Sequence, residues 1–193
     1  MQYAARIAMK SVLVVYGTTE GQTRKIAEFI AAAMNERGVV VELVDSASVR
    51  AALVQPVHAA VVVCGSLHQS RYRASLLRFV KENAAWLASV PGALVTVSLT
   101  AARNDDQGRD ELRASEEAFC RKTGWTPAMS RHVAGALRYA DYNFFKRWMV
   151  RAVANKHGGD TDAARDREYT DWDDLTRFVE KFLAMTPLQE GRH

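Results

Sequence analysis

Cysteine is scarce in this chain. Cys64 and Cys120 are the only two in 193 residues, and neither lies in a C-x-x-C pair or beside a cluster of metal-ligand residues. That usage excludes a disulfide scaffold and fits a reducing compartment, so a cytoplasmic location is expected. Long apolar runs are absent as well: no window holds the roughly 18 uninterrupted apolar residues of a membrane-crossing helix, and Met1 to Lys10 lacks the apolar stretch of a secretory signal. The chain is expected neither to be exported nor to span a membrane. Met9-Lys10 leads straight into the first apolar run, so the residues before it, 1–9 at most, read as a flexible arm or the product of an upstream translation start. Gly/Ser/Pro tracts and short-period repeats are missing, which argues against disordered, collagen-like and solenoid classes.

What remains is an ordinary globular composition. With 48% hydrophobic and 25% charged residues, the chain is long enough to bury one sizeable core, and a single domain over residues 1–193 is expected. The net charge of +4 favours an anionic partner. An anionic membrane surface or an acidic ligand would suit this charge; no nucleic acid is expected.

Apolar runs and helical spacings alternate along the chain. Ser11 to Tyr16 reads as a strand, followed by helical spacing at Ile26, Phe29, Ile30, Ala33 and Met34 that stops at Gly38. Val39 to Val44 and Ala59 to Cys64 read as further strands, separated by a weak helical piece at Ala47 to Leu53. A helix is predicted from about Ala74 to Leu87, a strand from Ala93 to Leu99, and a helix from about Glu111 to Lys122. Continuous Val-rich strands between amphipathic helices predict a doubly wound, five-stranded parallel sheet covered on both faces, a flavodoxin-like α/β architecture. The fifth strand is expected at His132 to Ala136 and is interrupted by an insertion from about Leu137 to Asp166. Glu168-Tyr169-Thr170 could then resume the edge strand. A last helix opens at Thr170 with Asp173 three residues on, a capping-box variant, and is expected to bury Trp172, Leu175, Phe178, Val179 and Phe182.

In such sheets ligands bind at the carboxyl ends of the strands, near the switch point. The loop Thr18-Thr19-Glu20-Gly21-Gln22-Thr23, between the first strand and first helix, supplies three threonine hydroxyls, a glycine and backbone N–H groups at a helix amino terminus, which suit an anion. It lacks the Gly-Lys-Ser/Thr ending of a nucleotide P-loop and the G-x-G-x-x-G of a pyrophosphate site, so a single phosphomonoester such as that of FMN fits best. The bland alternative is a polar turn with a threonine cap. Two further loops, Ser66-Leu67-His68 after Gly65 and Ser98-Leu99-Thr100-Ala101, carry small and polar residues that would flank an isoalloxazine. A response-regulator receiver would need acidic residues where this chain has Gly17 and threonines, so that alternative is rejected.

Several stretches together resemble a long-chain flavodoxin-like family, the menaquinone-dependent protoporphyrinogen IX dehydrogenases. They are Gly21-Gln22-Thr23, Val133-Ala134-Gly135-Ala136-Leu137-Arg138-Tyr139, Gly158-Gly159-Asp160-Thr161-Asp162 and Tyr169-Thr170-Asp171-Trp172, and the similarity extends from Met9 to about Thr186. The resemblance implies noncovalent FMN and oxidation of protoporphyrinogen IX to protoporphyrin IX. It also implies transfer of electrons to a membrane quinone, menaquinone or ubiquinone, from a peripheral position on the cytoplasmic face of the inner membrane. Six electrons must leave that substrate, so a two-electron flavin would turn over three times. Related sequences tend to carry Arg-Tyr where this chain has His68-Gln69, a departure that bears on flavin tuning and substrate contacts.

Within the insertion, Phe144, Phe145, Trp148, Met149, Ala152 and Val153 share one helical stripe. From Arg131 to Lys156 six Lys/Arg face one acid, Asp141, a local balance of +5. This basic amphipathic segment could pack on the sheet edge, hold a macrocycle by its faces and propionates, or lie on an anionic membrane. Arg138, Tyr139, Phe144, Arg147 and Trp148 are the candidates for substrate contact, with Arg138 alternatively pairing with a surface acid. No protein acid or base is singled out, because the flavin itself accepts the hydride. His68 could line the flavin edge or be an exposed loop histidine. Cys64 is expected to pack as a small core residue. Asp160 and Asp162 lack EF-hand spacing, so no metal is predicted. Two other functions stay open: an electron-carrying flavodoxin, typically acidic and with an aromatic stacked on the flavin, and an NAD(P)H-dependent quinone reductase.

Overall fold

The computed structural model describes residues 11–103, 105–137 and 167–189. The order is β1 (Ser11–Gly17), α1 (Gln22–Glu36), β2 (Val40–Asp45), a 3-10 turn (Val49–Leu53), β3 (Ala60–Ser66), α2 (Ala74–Glu82), α3 (Ala84–Leu87) and β4 (Gly92–Ser98). There follow a 3-10 turn (Thr100–Ala102), α4 (Asp106–Thr123), β5 (Met129–Ala134), β6 (Ala136–Leu137), β7 (Arg167–Glu168), α5 (Trp172–Ala184) and a closing 3-10 turn (Pro187–Gln189). Strands β1 to β5 form one parallel sheet in the order β2-β1-β3-β4-β5.

The apolar pattern of the strands follows from their places in that order. The central β1 and β4 are buried at every position, and β3 at all but its last, because helices cover both faces. On one face α1 and α5 bury Ile26, Ile30, Met34, Leu175, Phe178 and Phe182 against Val12, Val14 and Val62. On the other, α2, α3 and α4 bury Leu76, Leu87 and Phe119 against Leu13, Val61 and Val63, with Trp125 beside them. Each such side chain contributes roughly 1.5–3 kcal/mol by leaving water.

The edge strands depart from the continuous apolar pattern. β5 begins at Met129, three residues before the predicted His132, since an edge position tolerates the exposed Ser130 and Arg131. The helix predicted from Glu111 starts at Asp106, because Asp105 caps it by accepting the Gly108 N–H at 2.6 Å, giving a first turn with little apolar pattern. The single helix predicted over 74–87 divides at Asn83, whose side-chain amide donates to the Phe79 carbonyl at 2.8 Å and ends α2. Nor is Thr170 the cap of α5. Asp171 accepts the Asp174 N–H at 2.8 Å instead, and Trp172 is half-buried against Phe29, with ring centroids 4.8 Å apart.

Glu168 does not resume the edge of the main sheet. Arg167–Glu168 pairs antiparallel with Ala136–Leu137, a separate two-stranded ladder that brings the chain back beside the point where it left. Apart from Leu137, the predicted insertion at about 137–166 lies outside the described residues, as does the 1–9 arm.

Candidate functional site

The strand register brings three loops to one edge. Gly17 lies beside Gly65, Ser66 beside Val97, and Ser98 beside Ala134, so the loops after β1, β3 and β4 leave the sheet side by side. The helix after β1 covers one face and the helix after β3 the other. The crevice between the β1 and β3 tips is therefore the switch point at which doubly wound sheets bind ligands. Gly65 floors it for a steric reason: a Cβ there would stand 2.6 Å from the Tyr72 ring.

Within the loop after β1, Gly21 adopts φ +94°, which favours glycine, and a Cβ built there would meet no atom within 4 Å. The space over the loop is open. The Thr18 hydroxyl accepts the Gly21 N–H at 2.9 Å, which fixes the turn and leaves its own hydrogen to donate outward. Thr19 and Glu20 are exposed, whereas Thr23, in the first turn of α1, is buried. Gln22 points elsewhere: its side-chain nitrogen donates to the Thr170 hydroxyl at 2.9 Å, and Thr170 donates to the Ala134 carbonyl at 2.9 Å. The amino end of α1 is thereby fastened to the tip of β5 by residues 148 positions apart.

The second loop is a tight reversal. His68 and Arg71 exchange backbone hydrogen bonds of 3.0 and 2.9 Å, and Gln69 and Ser70 both take positive φ, 48° and 60°. Leu67 donates its N–H to the Val97 carbonyl at 2.8 Å, tying this loop to the β4 tip, and His68 is exposed. Tyr72, the first aromatic after it, turns inward. Its hydroxyl meets Thr96 Oγ1 at 2.8 Å, its ring packs on Phe119 at 4.8 Å, and burial raises its pKa, so the phenol stays neutral and its ring faces the core. Cys64 is likewise buried, and burial pushes its thiol pKa up, removing thiolate chemistry from the strand tip.

In the third loop Ser98 is spent on its own turn, its hydroxyl accepting the Ala101 N–H at 3.1 Å and its carbonyl the Gly135 N–H at 3.1 Å. Leu99, Thr100 and Ala101 are half-buried around it. Beyond lies a cavity of about 340 Å³ lined by Ala101, Ala102, Arg131, Tyr169, Asp171 and Asp174, among others. Arg131 grips Asp174 through Nε at 2.7 Å and through Nη2. Burial alone would raise the Asp174 pKa, but the hydrogen bond and charge of Arg131, with Arg177 beside it, hold it below the ordinary value. Arg131, counted in the basic stretch, is thus neutralised from α5.

The predicted loop residues Thr18 to Thr23, Ser66 to His68 and Ser98 to Ala101 therefore share one edge of the sheet. Arg138, Tyr139, Phe144, Arg147 and Trp148 lie outside the described residues. Two contributors escape the sequence pattern. Thr170 carries a clue only in the Tyr-Thr-Asp-Trp stretch, and Arg73, whose Nη1 donates to the Thr18 carbonyl at 2.6 Å, is separated from its partner by 55 positions with no local signal. Among the described residues no three His, Cys, Asp or Glu side chains converge as for a metal, and no helix is long and apolar enough to cross a membrane.

An open glycine, donor hydroxyls and a nearby guanidinium make a donor set that fits a phosphomonoester. The chain is 28% identical over 174 residues to the protoporphyrinogen IX dehydrogenase (quinone) of Escherichia coli strain K12, covering 90% of this chain and 95% of that one. It is 30% identical over 177 residues to the protein of the same name from Leishmania major, covering 90% and 74%. Among solved structures, oxidised Flavodoxin 2 from Bacillus cereus superposes with a TM-score of 0.55 at 12% identity, over 90% of this chain and 98% of that one. The flavodoxin of Streptococcus pneumonia TIGR4 gives 0.53 at 13%, over 90% and 97%. At such identities these two bear on the fold alone. The family model described as Flavodoxin domain matches residues 13–164, and the chain belongs to that family.

Proposed function

We propose that this protein is an FMN-dependent oxidoreductase that converts protoporphyrinogen IX to protoporphyrin IX and passes the electrons to a membrane quinone, menaquinone or ubiquinone. The observation that carries this reading is the similarity, at 28% and 30% identity over 90% of the chain, to two proteins named for that reaction. The switch-point crevice supports it by offering a phosphate loop where the fold binds ligands. We take the chain as one domain over residues 1–193, with the insertion at about 137–166.

Bound FMN supplies a two-electron acceptor at its ring. The protein's part is to hold and shield that ring. The hydroxyls of Thr18, Thr19 and Thr23, with the N–H groups at the start of α1, bind the phosphate; Gly21 leaves it room, and Glu20 and Gln22 border it. The loops at Ser66-Leu67-His68 and Ser98-Leu99-Thr100-Ala101 flank the ring. Both are fixed by backbone hydrogen bonds between strand tips, which pre-positions them without a cost on binding. Arg138, Tyr139, Phe144, Arg147 and Trp148 contact the porphyrinogen. The basic segment containing the last three also rests on an anionic membrane surface near the quinone pool.

Anaerobic incubation of the FMN-loaded protein with protoporphyrinogen IX and a menaquinone analogue tests this, with porphyrin fluorescence as the signal. Fluorescence that grows only when both flavin and quinone are present is expected. No signal from a protein that holds stoichiometric FMN rejects the substrate assignment.

A further inference from the structure

We infer that Arg73 is a charged partner of the flavin phosphate, contributed from the β3 side of the crevice to a loop that holds an acid of its own. The inference rests on the reading of Thr18–Thr23 as the phosphate loop. Arg73 immediately precedes α2, on the opposite face of the sheet from α1, and its Nη1 reaches across the switch point to the Thr18 carbonyl at 2.6 Å. That bond uses one of the five N–H donors of a guanidinium. Among the described residues no carboxylate lies within ion-pair distance of Arg73, whereas Arg24, nearer in sequence, is engaged by Glu28 at 2.7 Å.

Two properties of the loop call for such a charge. The six-residue turn that would receive a phosphate dianion carries an acid, Glu20, and no lysine or arginine of its own. In addition, the Gly21 N–H is already given to the Thr18 hydroxyl, so one donor of the turn is turned inward. Arg73 supplies the missing positive charge, and its bond to Thr18 sets its distance from the loop. A guanidinium anchored by one N–H and free at the others suits a tetrahedral oxyanion. The chemistry recognised is the phosphate and not the ring, so Arg73 selects FMN over riboflavin.

The test is titration of the flavin-free protein with FMN and with riboflavin, following quenching of flavin fluorescence at low and high salt. The wild type is compared with Arg73→Gln, Arg73→Lys, Lys25→Gln and Thr23→Val. Arg73→Gln is expected to weaken FMN about tenfold and leave riboflavin unchanged. That loss should shrink as salt rises, because the side chain is exposed. Arg73→Lys should keep most of the FMN affinity, and Lys25→Gln should change it less than Arg73→Gln does. Equal weakening of both flavins by Arg73→Gln overturns the inference, since it would show that the side chain only braces Thr18. If Thr23→Val weakens FMN and Arg73→Gln does not, the loop reading stands and the inference fails. If neither variant affects FMN, or the wild type binds none, both fail.

Discussion

Around β1 and β3 the carboxyl edge of the sheet is held by hydroxyls, glycines and backbone groups, whereas around β4 and β5 ion pairs are added to contacts of that kind. On the outer side Arg103 grips Asp105 at 3.1 Å and reaches toward Glu111, His132 meets Glu116 at 3.1 Å, and Arg131 clasps Asp174. His132 and Arg131 thereby fasten the middle of α4 and the start of α5 to β5, while Arg103 braces the start of α4. On the inner side the fastenings include Thr18 to Gly21, Ser46 to Ser75 and Arg73 to a carbonyl. Charges paired with each other hold structure but offer little to a ligand. Neutral donors and an unneutralised guanidinium can still be used by one. The contrast favours the proposed anion site on the inner side, with the structural electrostatics outside.

The sharpest way to break the inner side is steric. Gly65→Ala puts a methyl 2.6 Å from a buried aromatic ring, so unfolding by urea should show a loss of about 1–3 kcal/mol. An unchanged midpoint would show that Tyr72 can yield and that the crevice floor is not tight.

The two sides meet at Thr170, which accepts from Gln22 and donates to Ala134. Thr170→Val removes both bonds and should cost about 1 kcal/mol of stability. It should also weaken FMN roughly threefold through the loosened amino end of α1, for a fraction of that energy, while Thr170→Ser retains both properties. Loss of stability with FMN affinity intact would mean that the two sides are mechanically independent.

The smallest effect is expected outside. Arg131→Gln should cost about 0.5–1 kcal/mol at neutral pH, because the pair is partly exposed. Its pH dependence has a definite sign. The folded carboxyl of Asp174 is held below its ordinary value of 3.8, so its contribution is fully present above that pH and fades as pH falls through the lowered value. Wild type and variant should therefore converge in urea unfolding once the pH falls below that lowered value. A gap that persists in acid would assign the role of Arg131 to packing.

The same division explains what could be read from sequence. The inner strands announce themselves as unbroken valine runs because they are covered on both faces, and the loop proposed to hold the phosphate is contiguous, so its residues could be read together. The start of β5 was hidden by Ser130 and Arg131, whose partners Glu116 and Asp174 lie 14 and 43 residues away. The start of α4 was hidden because a cap, not an apolar stripe, sets it. Thr170 looked like a helix cap and instead joins two strand-end loops. Arg73 had no local pattern at all, since its meaning comes from a strand crossover that brings α2 opposite the loop after β1.

The short β6–β7 ladder has a further consequence. Because the chain departs at Leu137 and returns at Arg167 on an adjacent antiparallel strand, both ends of the intervening twenty-nine residues lie at one place. The cost of closing such a loop rises only slowly with its length. Segments of different size and composition can thus be exchanged at this point without re-threading the five-stranded sheet. A lineage could retain its flavin platform while trading that one segment.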